Sequence, residues 1–221
     1  MTTIRVARKP AHAYQHGDLR RALIKAGLKL LSESGEDGLS LRGAAELAGV
    51  SHAAPYRHFR DKHALVAAVA EEGFRLLTLR MREEMGTCAA GDVLARLRAS
   101  ASGYVSFAVE HPAYFRTIFG GAVCRPDEEQ PPGLKEAGAE AYRVLRDTVA
   151  EGIAEGRLRA GDPEQVSLAA WSMVHGLSML IIEGQLPDTR TNPARVRAMT
   201  QGVVALLETG LRAGGLAPLA V

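Results

Sequence analysis

Aromatic residues are scarce in this chain. Only 5% of its 221 residues are Phe, Trp or Tyr, with a single Trp at position 171, so a core of this size must be filled by the aliphatic side chains within its 47% hydrophobic content. Cysteine is almost absent. Cys88 and Cys124 are too few for a disulfide framework and show no metal-ligand spacing, which points to a reduced, cytoplasmic compartment and to no bound metal or cofactor. The N-terminal stretch MTTIRVARKPAHAY lacks the apolar centre of a signal peptide. No alternating run of β-branched residues is present, whereas the strong helix formers Ala, Leu, Arg and Glu abound. The expected fold is therefore all-α.

The net charge of +2 is small but uneven. Residues 1–62 hold 11 Lys+Arg against 6 Asp+Glu, and the remainder holds 16 against 19. A basic N-terminal third on a mildly acidic body suits a nucleic-acid partner for the former. Residues 165–182 carry no formal charge and reach the length of a membrane span. A Gln, three Ser, a His and a Gly interrupt them, and Glu flanks both ends without a basic anchor. A buried or subunit-facing helix is the better reading, with no membrane partner.

The most telling segment is residues 40–62, SLRGAAELAGVSHAAPYRHFRDK. Ser40 is a good N-cap. Leu41, Ala44, Ala45 and Ala48 follow at helical spacing, and Gly49 supplies the left-handed residue that ends a helix. Ser51 reads as a second cap, before a helix of about two turns from His52 to Phe59 that Leu47, Val50 and Phe59 hold in place. Two short helices joined at a glycine corner make a helix-turn-helix, whose second helix enters the major groove. Ala53 and Ala54 are small enough for close approach, and an alanine methyl can meet a thymine methyl. His52 suits a base edge or a phosphate. Tyr56, His58 and Lys62 suit phosphate oxygens. Arg42 is placed to reach either, Pro55 stiffens the start of the helix, and with Ser40 and Ser51 these residues are the candidate DNA contacts.

GVSHAAPYRHFRDKHAL resembles the recognition-helix signature of the TetR (tetracycline-repressor-like) family, and HGDLRRALIKAGLKLLSESGEDGLSLRGAAELAGVS resembles the two helices before it. The likeness covers roughly residues 14 to 75. Further on, AAWSMVHGLSMLIIEGQL, with Trp171, His175 and Gly176, is similar to the effector-domain helix of a TetR subgroup named for its Trp–His–Gly pattern. The resemblance implies a dimer joined through the last two helices, a double-stranded operator, and repression lifted by a small-molecule effector.

The expected organisation is a flexible basic arm at 1–13, a DNA-binding head at 14–62 and an effector-binding and dimerisation body at 63–221, with about nine helices in all. Helices are expected at about 18–34, 41–48, 52–59, 61–84, 92–110, 112–119, 134–157, 163–184 and 193–212. Asp162-Pro163 and Asn192-Pro193 act as start signals. Broad apolar arcs on the last two helices predict pairing with a second copy. Tyr104, Phe107, Phe115 and Phe119, with Trp171, His175 and Met179, are candidate effector contacts, although aromatics at helical spacing serve a core equally well. His175 fits either a ligand contact or a structural hydrogen bond. Gly176 in mid-helix costs about 1 kcal/mol against Ala, which predicts close packing there. Two alternatives compete: a DNA-binding or architectural protein without an effector, and an enzyme built on His175 with Glu183 or Cys124 with His111. Neither pair sits in a catalytic signature, so the reading is not an enzyme.

Overall fold

The computed structural model describes residues 16–89, 91–121, 123, 130–189 and 192–211. The expected arm at 1–13 and Cys124 lie outside them. Among the described residues there are eight α-helices: α1 (His16–Ser34), α2 (Leu41–Ala48), α3 (Lys62–Met85), α4 (Val93–Glu110), α5 (Pro112–Phe119), α6 (Pro132–Ala154), α7 (Pro163–Ile182) and α8 (Pro193–Leu211). A single 3-10 turn, Pro55–Arg57, stands where the ninth helix was expected.

The start signals act through specific bonds. Asp61 Oδ1 accepts from Ala64 N–H at 2.8 Å ahead of α3, and Asp92 caps α4 through Ala95 N–H at 2.9 Å. Asp162 accepts from Glu164 N–H at 3.0 Å, and Asn192 Oδ1 from Arg195 N–H at 3.1 Å. In both Asx-Pro pairs the proline takes the first helical position, where its missing N–H costs nothing.

The chain divides into two compact units, Met1–Val66 and Ala67–Val221, with the boundary inside α3. In the first, Leu23, Ile24, Leu39, Leu41, Ala44, Ala45, Phe59 and Leu65 are buried together. In the second, α4 is the central helix. Its buried residues, from Val93 and Leu97 through Tyr104 to Phe107 and Ala108, surround it on nearly every side, and α5, α6, α7 and α8 all pack on it.

One close approach within the second unit depends on a glycine. A Cβ on Gly103 of α4 would stand 2.8 Å from Met81 Cα and 2.9 Å from the Arg80 carbonyl oxygen of α3. Both are backbone atoms and cannot swing aside. Gly103→Ala is expected to destabilise the second unit by about 1–3 kcal/mol through overpacking. Urea denaturation followed by the emission of Trp171 measures it, and a loss below about 0.5 kcal/mol would show that the helices separate freely.

Candidate DNA-contacting head and ligand cavity

In the first unit the corner is built by two backbone devices. Ser40 Oγ accepts from Gly43 N–H at 3.0 Å and so caps α2. Gly49 ends the helix at φ +70°, and Val50 N–H returns to the Ala45 carbonyl at 3.0 Å. The expected recognition helix then takes a tighter path. Pro55 has no N–H to return to Ser51, and most of the local bonds span three residues, Ala54 N–H to Ser51 O at 2.9 Å, Arg57 N–H to Ala54 O at 3.3 Å and His58 N–H to Pro55 O at 2.9 Å, with one four-residue bond from Phe59 N–H to Pro55 O at 2.9 Å. Phe59 is buried and anchors this turn, with the Arg20 guanidinium 5.8 Å above its ring centroid.

The second unit holds a partly open cavity of about 400 Å³ lined from α3, α4, α5, α6, α7 and α8, with Glu164 and Leu168 exposed at its edge. Its wall is apolar apart from four hydrogen-bonding side chains and the Glu164 carboxylate. A run of rings borders it: Phe74 meets Phe119 edge-on at 5.8 Å, Phe119 lies 6.0 Å from Trp171, and Trp171 meets Tyr142 at 6.0 Å. Behind the wall runs a short polar chain. Trp171 Nε1–H, which can only donate, gives its hydrogen to Tyr104 Oη at 3.0 Å. Tyr104 Oη in turn lies 2.9 Å from His175 Nδ1. Burial pushes the Tyr104 phenol well above its ordinary range, opposed in part by the Trp171 bond, and burial also lowers His175. Both groups are therefore neutral near pH 7, and the Tyr104 hydroxyl donates to His175 in the tautomer whose Nδ1 carries no proton.

The comparisons with known proteins follow these two units. Residues 23–69 match the family described as bacterial regulatory proteins, tetR family, and residues 97–210 match the tetracyclin repressor-like C-terminal domain. The chain belongs to the TetR family of bacterial transcriptional regulators. A segment of 49 residues is 53% identical to the class A tetracycline repressor of transposon 1721 from Escherichia coli, spanning 22% of this chain and 23% of that repressor. A Rhodococcus sp. RHA1 protein of unknown function is 34% identical, with a TM-score of 0.77, over 91% of this chain and 99% of its own. The fatty acid degradation regulator FadR of Bacillus halodurans has a TM-score of 0.72 over 90% of this chain and 99% of its own, at 16% identity, and so shares the fold. The C-terminal match does not single out the Trp–His–Gly subgroup.

Within this TetR-family head the sequence candidates separate by exposure. Arg42, Ser51, His52, Ala53 and Tyr56 are exposed, and Ala54, His58 and Lys62 are half-buried. Tyr56 is 56% exposed, a large aromatic held out on the turn. His52 Nε2 sits 3.2 Å from Glu46 Oε1, so it bridges back to α2. Pro55 is buried, which makes its ring part of the packing instead of the outer face. Ser51 places no side-chain cap on the turn; its carbonyl does the bonding. Leu47 faces solvent and does not hold the turn as expected. Arg57, exposed on the same turn as Tyr56, was not among the candidates. The basic run RHFRDK was its signal, but only the turn geometry shows which of these side chains face outward.

Of the candidate effector contacts, Tyr104, Phe119 and Trp171 line the cavity. Phe107 and Phe115 are fully buried core residues. His175 stands behind Tyr104 and stacks on Phe115 at 5.5 Å, and Met179 is half-buried away from the wall. Phe74, Tyr142 and Glu164 also line it and were missed, because helical spacing does not reveal where α3, α6 and α7 converge. Gly176 corrects an expectation: a Cβ there would meet nothing within 4 Å. The enzyme pair His175 and Glu183 is divided between other partners, His175 on Tyr104 and Glu183 on Arg116 Nε at 2.8 Å. Although α7 is long and apolar enough to cross a membrane, it packs on α4, α6 and α8 with its Ser167 and Ser178 buried, and leaves Leu168, Met173 and Leu180 exposed on its outer face.

Proposed function

We propose that this TetR-family protein is a cytoplasmic, homodimeric repressor that binds an operator through two heads and leaves it when a small apolar effector occupies the cavity. The observation that carries this reading is the pairing of an exposed helix-turn-helix face with a separate apolar cavity of about 400 Å³. A cavity of that size falls within the range of small-molecule sites.

Dimerisation is supported by the outer faces of α7 and α8. Met173 and Leu180 on α7 and Leu206 on α8 are exposed large apolar residues. Gly176 and Gly202 on the same helices have open space where a Cβ would stand, so a second backbone can come close. Two heads would then meet half-sites one turn of DNA apart, roughly 34–36 Å. The effector must bind the DNA-incompetent arrangement more tightly than the competent one, or the equilibrium does not move. The control we infer is that filling the cavity re-angles α3 and alters the spacing of the two heads.

A gel shift with a genomic fragment library tests the DNA half: the absence of any specific fragment at moderate salt overturns it. Tyr56 gives a finer prediction. Its exposed hydroxyl is assigned to a phosphate oxygen, so Tyr56→Phe should weaken the operator and an unrelated duplex alike, by about 3- to 10-fold. Fluorescence anisotropy on both duplexes measures this, and unchanged affinity would remove the hydroxyl from the phosphate contact.

A further inference from the structure

The hydrogen-bonding state of the cavity wall narrows what the cavity can hold. Among its described lining residues, four carry a side-chain donor: Ser100, Tyr104, Tyr142 and Trp171. Ser100 Oγ–H goes to the Leu97 carbonyl at 2.9 Å. Trp171 N–H goes to Tyr104, and Tyr104 engages His175. Tyr142 O–H goes to Glu164 Oε1 at 2.9 Å. Three of these donors are in use outright, and Tyr104 is engaged by both Trp171 and His175, donating to the latter when its Nδ1 carries no proton. Among the same residues none is Lys, Arg or His. Arg146, whose charge reaches Tyr142 and Glu164, is solvent-exposed and donates to Asp147 Oδ1 at 2.9 Å.

Acceptors and negative potential are what remain. Glu164 has two oxygens and gives one to Tyr142, leaving acceptor capacity at the cavity wall. The rings of Phe74, Phe119, Tyr142 and Trp171 add aromatic faces, which attract cations. A carboxylate ligand would meet the like charge of Glu164 and no cationic side chain among the described lining residues, which is unfavourable although Glu164 itself is exposed. A protonated amine on a hydrocarbon body would find a carboxylate, π-faces and apolar wall together.

We infer that the cavity takes a small lipophilic ammonium compound and selects it over a carboxylate of the same size. This rests on the effector reading above, whose site it deepens. The chain's single tryptophan, Trp171, lines the cavity, so its emission reports occupancy directly. The probes are phenylbutylamine, phenylbutanol and phenylbutyrate, matched in body and differing only in the head. Their effects on Trp171 emission and on Tm are measured with the 221-residue chain and with its Glu164→Gln variant. The Gln carbonyl still accepts from Tyr142, so the wall keeps its bond.

The amine is expected to bind about tenfold more tightly than the alcohol, with the carboxylate weakest, and Glu164→Gln to bring the amine level with the alcohol. A carboxylate that binds as tightly as the amine, or an amine preference untouched by Glu164→Gln, overturns the ligand class and leaves the effector reading standing. If none of the three probes moves either signal, both the class and the effector reading of this cavity fall.

Discussion

Leu206→Glu combined with Leu180→Glu is expected to split the dimer and lower operator affinity on the order of 100-fold. Leu206 is 71% exposed and Leu180 46% exposed, unusual for large apolar side chains on the last two helices. Under the proposed pairing each is buried by the partner copy, which stabilises the interface by about 1.5–3 kcal/mol per leucine. A glutamate in its place would be desolvated without a cation and would appear twice, once from each copy. The heads would then bind half-sites separately and lose the gain of simultaneous engagement. Light scattering after size exclusion gives the mass, and a gel shift gives the affinity. A double variant that stays dimeric with unchanged operator affinity would move the interface away from α7 and α8.

Phe115→Ala is expected to destabilise the second unit by about 3–5 kcal/mol. Phe115 has no exposed surface, and its ring contacts Tyr104 edge-on at 5.5 Å, Phe119 at 4.8 Å and the His175 ring at 5.5 Å. Removing it leaves a void behind the polar chain. The loss should exceed that of Gly103→Ala, because a lost ring removes burial as well as packing. Urea denaturation at matched protein concentration, read from Trp171, follows this unit because the head holds no tryptophan. A loss under about 1 kcal/mol would mean that the neighbouring rings close over the space.

Much of the fold was legible because its signals are local. Ser40, Asp92, Asp162 and Asn192 mark helix starts through bonds to residues two or three positions on, and Gly49 marks an end through its own φ. Such contacts need no knowledge of the rest of the chain. The recognition segment was legible as a DNA-facing element but was expected as a helix from His52 to Phe59, not as the 3-10 turn Pro55–Arg57. Composition favoured a helix there, while the missing N–H of Pro55 decided the bonding. The cavity was legible only in part. Tyr104, Phe119 and Trp171 were in view as aromatics on apolar helices, and so were Phe107 and Phe115, which turn out to be core. One periodic stripe cannot distinguish a ring that faces a neighbour from one that faces a void.

By itself, then, the sequence determined the helical class, the helix boundaries to within a few residues, the glycine corner of the head and the family. Each follows from interactions spanning a few positions along the chain, or from a contiguous motif. Tertiary structure alone decided that Phe74, Tyr142 and Glu164 share a wall, that Tyr104 links Trp171 to His175, and that Gly176 faces open space while Gly103 does not. These depend on which helices cross and how closely, and crossing is set by side chains far apart in sequence meeting in space.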